Sequence, residues 1–168
     1  RFDGIEPVPY VGARWRYMMA LLTWNLRLTE RVRWYSDVGW ESKSSIDLER
    51  PVGETLFLRS SGRVNWFEDE EGLFYSTSLR LYQSLGRRQL LTYEWSNSYE
   101  TQPEDRLKQV RLRLRWAQRF IREWLLLELA PQVAWREDDD YETALGFLVR
   151  LEFGFGTQPR LSNPRARR

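Results

Sequence analysis

Arginine and carboxylate side chains recur at alternate positions through most of this chain, and that spacing bounds the chemistry open to it. Arg27, Arg31 and Arg33 share one parity, as do Arg59 and Arg63, and again Arg111, Arg113 and Arg115; Glu94, Glu128 and Glu152 fall on the matching positions of their own segments. Arg14, Arg16, Arg80, Arg119, Arg150, Glu41, Asp47, Glu49 and Glu142 extend the same set. A period of two projects all of them to one face of a strand. A guanidinium is a rigid, permanently charged fork that pairs well with carboxylates. Such a face can neutralise itself as an ion-pair network filling a narrow interior. Where arginine is in excess it can instead attract anions, as rings of cations do in pores. Proton transfer and metal ligation lack their usual agents, because the 168 residues include no histidine and no cysteine. No nucleophile elbow, phosphate loop or metal-spaced cluster occurs, so no catalytic, metal or cofactor-binding residue is assigned and no cofactor is expected.

The elements that position these charges are strands. Nine alternating segments are expected, at residues 9–19, 23–35, 38–49, 54–67, 73–85, 89–99, 107–120, 123–135 and 141–156. Residues 23–35 set Trp24, Leu26, Leu28, Val32 and Trp34 against the arginines, with Glu30 breaking the apolar stripe. Residues 107–120 set Val110, Leu112, Leu114, Trp116 and Phe120 against Arg111, Arg113, Arg115 and Arg119. Pro131 is awkward within a strand and predicts a bulge or local break. Leu85-Gly86-Arg87-Arg88 and Phe120-Ile121-Arg122 read as tight turns, whereas residues 68–71 (EDEE), 101–105 (TQPED) and 137–140 (EDDD) read as longer acidic loops. Next-neighbour hairpins make an up-and-down meander.

The last segment, YETALGFLVRLEFGFG at residues 141–156, has one apolar face ending in Phe153 and Phe155 and one face of small and oppositely charged residues. A lipid-facing wall with a crowded polar lumen behind it produces that pairing. The segment resembles the closing strand of Gram-negative outer-membrane β-barrel proteins, and by pattern the resemblance extends over residues 9–156. It implies an all-β, antiparallel up-and-down transmembrane barrel in the outer membrane, of which some eight or nine strands are visible and which can be part of a larger barrel. Aromatic residues on the apolar face agree with it. Trp34, Trp40, Trp66, Trp95, Tyr99, Trp135 and Tyr141 are placed near the acidic loops, and Trp24, Phe153 and Phe155 near the tight turns, as two interfacial belts.

The resemblance frames the remaining expectations. Residues 1–8 are a lead-in loop or the end of an upstream strand, residues 9–156 the barrel, and residues 157–168 a disordered basic periplasmic tail. Lipid bilayer and lipopolysaccharide are the expected partners, together with other envelope proteins, further copies or further strands that complete the barrel. Single-chain bacterial barrels have even strand numbers, so nine strands imply either that the first segment is not a membrane strand or that more strands exist. The acidic loops suit divalent cations bridging lipopolysaccharide phosphates, or are solvated turns. Enzymatic outer-membrane barrels (phospholipases, lipid A deacylases, palmitoyltransferases and omptin-like proteases) rely on a histidine that this chain lacks. The expected function is therefore a non-enzymatic, passive pore with an arginine-rich lumen. A membrane-embedded scaffold for envelope proteins and a soluble β-barrel binding an apolar ligand are the alternatives. Nucleic-acid binding fits poorly: net charge is +2 and charges of both signs are interleaved.

Overall fold

A computed structural model of the chain describes residues 9–37, 39–120 and 125–153. Its strands are β1 (Tyr10–Leu21), β2 (Trp24–Tyr35), β3 (Gly39–Val52), β4 (Leu56–Phe67), β5 (Phe74–Ser84), β6 (Gln89–Glu100), β7 (Arg106–Phe120), β8 (Leu125–Arg136) and β9 (Thr143–Phe153), with one 3-10 turn at Glu137–Asp139. They form one antiparallel sheet in the order of the sequence, β1 through β9. The all-β up-and-down meander is therefore present. The closed barrel is not: β1 and β9 lie at opposite ends of the sheet and the nine strands alone leave it open. Among the described residues no helix is long and apolar enough to cross a membrane.

Alternation fixes the two faces. Along one row, Trp15, Glu30 and Ser44 stand side by side; along the next, Arg14, Arg31 and Lys43. Almost every buried residue, including Phe57, Ala117, Ala130, Ala134, Glu49, Glu94 and Glu128, belongs to the polar face; Asn97 is the exception. No second layer covers that face. A single sheet buries side chains only by twisting and curving until those of one face close on one another, so this sheet curls around its polar side. The apolar face points outward, with Trp34, Ile46, Trp95 and Leu112 each more than 40 % exposed.

Two local irregularities have physical causes. Between β6 and β7 the register steps at Ser98/Tyr99, from Ser98↔Gln109 to Tyr99↔Leu107, leaving Lys108 as the extra residue of a bulge. Pro131 makes no bulge, and of the two outcomes expected the local break is the one present. Pro131 pairs with Phe147 in an unbroken β8–β9 register, while the β7–β8 ladder skips Leu114 and Arg115 and resumes in the same register. A residue without an N–H drops out of one ladder without displacing the strand. The expected tight turn at Ile121 and Arg122, the belt residue Phe155, and the lead-in and tail segments lie outside the described residues.

Candidate functional site: the arginine-rich face

β2, β3 and β4 meet at Glu49. Arg27 reaches it from β2 and Arg59 from β4, each placing Nη2 2.6 Å from Glu49 Oε1. Asp47, one pair along, accepts a hydrogen bond from Ser61 Oγ at 2.6 Å. Glu41 lies towards the other end of β3. Arg33 Nη1 is 3.9 Å from it, Lys43 Nζ is in close contact, and Arg33 also donates to Tyr35 Oη at 3.0 Å.

A second centre forms on β5 to β8. The Glu94 side chain, 4 % exposed, is approached by Arg80 Nη2 at 3.2 Å, Arg111 Nη2 at 3.8 Å and Arg115 Nη2 at 3.9 Å. Arg115 Nε also lies 3.4 Å from Glu128 Oε1. Arg113 donates from Nε and Nη2 to Gln132 Oε1, at 3.0 and 2.8 Å. Gln132 has room to receive it because its β9 partner is Gly146, where a Cβ would stand 2.9 Å from Gln132 Nε2. Glu152, towards the end of β9, pairs with Arg150 at 2.9 Å.

The fold therefore brings every sequence-assigned lumen residue to one face, but does not pair them alike. Arg27, Arg33, Arg59, Arg111 and Arg115 have carboxylate neighbours, and Arg113 has an amide. Among the described residues, no carboxylate lies within ion-pair distance of Arg31 or Arg63. A cleft of about 320 Å³ beside them is lined by Arg14, Arg16, Arg31, Lys43 and Arg63, with Asp47 its one carboxylate. Arg80, Glu41 and Glu49 belong to the network as fully as the assigned residues do, and their parity is the signal that finds them. Tyr35 was missed because its apolar ring hides a hydroxyl that bridges Arg33 and Glu41.

Most of the aromatic residues assigned to belts lie on the outward face near strand ends. Trp34 pairs with Trp40, and Trp66 stands beside Ser42 at the same end of the sheet. Tyr99 stacks on Tyr75 with ring centroids 4.6 Å apart, and Trp135 Nε1 donates to Thr143 Oγ1 at 3.0 Å. Tyr141 donates to the Leu107 carbonyl. Trp24 lies at the opposite end under the Arg50 guanidinium, 5.5 Å from its ring centroid, and Phe153 ends β9 opposite Leu125. Trp95 is different: it sits in the middle of β6, between Leu79 and Leu112. Past the end of β8, Glu137 is met by Lys108 of β7, with Nζ 2.7 Å from Oε2, and that ammonium keeps the Glu137 carboxyl below the usual glutamate range. Among the described residues the acidic loops bring together no group of three carboxylates that could hold a metal ion.

Compared with known proteins, the chain matches no protein-family model, no curated protein and no solved structure.

Proposed function

We propose that these strands are the wall of an outer-membrane β-barrel that acts as a passive, non-enzymatic pore, its arginine-rich face lining the lumen and favouring anions. The observation that supports it is the inversion of the sheet: the charged face is the crowded, inward-curving one, and the leucine, valine and tryptophan face is bare. In water a sheet hides its apolar side, and a bare apolar surface of this extent marks contact with a membrane or a partner. The shortest strands have 11 residues, which at about 3.3 Å per residue and a tilt near 40° cross roughly 28 Å, the thickness of a hydrocarbon core. Lipid and lipopolysaccharide are then the partners of the outward face. The same inversion speaks against a soluble barrel with an apolar ligand, which would need the opposite curvature.

The test is planar-bilayer recording of the full-length polypeptide under a potassium chloride gradient. A stable current with a reversal potential on the chloride side is the expected result. Cation selectivity would sink the arginine-lumen reading, and a folded but silent barrel would favour the scaffold instead.

A further inference from the structure

The polar face is least balanced at the β1 edge. Arg14 stands directly opposite Arg31, and Arg31 opposite Lys43, so cations occupy neighbouring positions on three strands. Like charges placed opposite each other repel. Among the described residues no carboxylate lies within ion-pair distance of Arg14 or Arg16, and Asp47, the one acid in the adjoining cleft, accepts a hydrogen bond from Ser61. The β6–β7 side is different, because Glu94 and Glu128 answer its arginines. Every residue of β1 is exposed.

Strand direction limits what can cover this edge. Each neighbouring pair is antiparallel, so β1 and β9 run the same way. They cannot close on each other antiparallel. A second copy inserted in the same orientation also brings its β9 to β1 in parallel. Antiparallel closure needs an odd number of further strands, and in a bilayer an open edge is prohibitive because its N–H and C=O groups have no water to bond.

Resting on the barrel reading above, we propose that the strand beside β1 comes from the same polypeptide, N-terminal to it, and carries carboxylates two residues apart at the inward positions facing Arg14 and Arg16. Charge complementarity sets the acids, and their spacing follows from the two-residue period of the pleat. The N-terminal source follows from the acidic-loop end of the sheet, where β1 begins. Residues 1–8 (RFDGIEPV) have the Asp, Glu, Gly and Pro composition of the strand connections at that end. Pairing at this edge would leave Arg31 and Arg63 as the anion-attracting stretch of the lumen.

The test places a photoreactive benzoylphenylalanine at Tyr17 of the full-length polypeptide in its own cell envelope and maps the adduct by peptide mass. The expected adduct lies on an antiparallel segment N-terminal to residue 1, with Asp or Glu at the two inward positions. An adduct on β9, on a second copy, on another protein, or on an N-terminal strand without those acids overturns the proposal. In a second measurement, Arg14→Glu with Arg16→Glu should abolish the compact, heat-shiftable band on a semi-native gel. Exchanging the facing acids for arginine should restore it. A double reversal without effect also overturns the proposal. Extraction of the protein without detergent would overturn the barrel reading itself, and the adduct map would still decide which strand lies beside β1.

Discussion

The Glu30 carboxylate on β2 accepts a hydrogen bond from Ser42 Oγ of β3 at 2.8 Å, on the mainly apolar outward face. Ser44, its directly paired neighbour, donates to the second carboxylate oxygen. The acid that interrupts the stripe is thus held by two hydroxyls on the adjacent strand. A charge on a bare apolar face is costly unless it is hydrogen-bonded, so the serines are what makes Glu30 tolerable. Ser42→Ala with Ser44→Ala should destabilise the protein by about 1–3 kcal/mol, read as a shift of the urea midpoint in detergent. In a Glu30→Leu background the same pair should cost nothing. An equal loss in both backgrounds would show that the serines act independently of Glu30.

Glu94 is the best-shielded carboxylate of the β5–β8 centre. Glu94→Gln leaves Arg80 and Arg111 without a counter-charge and Arg115 with Glu128 alone. Truncating one partner of a fully buried pair costs about 3–5 kcal/mol, but these arginines are 21 %, 31 % and 36 % exposed and water screens them. A loss on the order of 2 kcal/mol is expected. On the proposed pore reading, the same substitution should raise anion selectivity. An unchanged or more cation-selective reversal potential would place Glu94 away from the conduction path.

Gly146 and Gln132 form a size-matched pair. Gly146→Val would set a Cβ 2.9 Å from Gln132 Nε2 and 3.1 Å from its Cγ, pushing the amide off Arg113. The two hydrogen bonds to Gln132 Oε1 would be lost, at about 1–2 kcal/mol together. With Gln132→Ala already in place the valine should be accommodated at little further cost. A full additive loss in the double variant would mean that the backbone of β9, and not Gln132, resists the side chain.

Much of this arrangement was legible in the sequence because alternation is a local property. Trp34, Trp40, Arg111 and Glu128 each took the face that their parity assigned. What stayed hidden depends on partners distant in sequence. Glu30 looked like an error in the stripe because its serines are on another strand, 12 and 14 residues away. Lys108 gave no sign of a bulge, since an extra residue shows only against the strand it pairs with. Trp95 was placed by its distance from an acidic loop, whereas its depth is fixed by register with Leu79 and Leu112. Closure is the most non-local property of all: the nine-strand count left open whether the first segment is no membrane strand or further strands exist, and these nine strands form an open sheet.

The bulge at Lys108 links the start of β7 to the turn before β9. The extra residue turns its ammonium to Glu100 at 3.2 Å and Glu137 at 2.7 Å, with Arg106 3.4 Å from Glu137 on the other oxygen. A carboxyl held below its unfolded value adds stability that is fully present above the unfolded pKa, about 4.3, and disappears as pH falls through the folded one. Anchoring of the Glu137–Asp139 turn should therefore hold at neutral pH and fail only in acid, below the usual glutamate range. Carboxyl NMR of Glu137 should show a midpoint below that of an ordinary glutamate, and Lys108→Met should move it upward. Protease nicking of residues 137–142 should rise at low pH in the parent protein and begin at higher pH in the variant. A midpoint indifferent to Lys108 would mean that the bulge serves the β6–β7 twist alone.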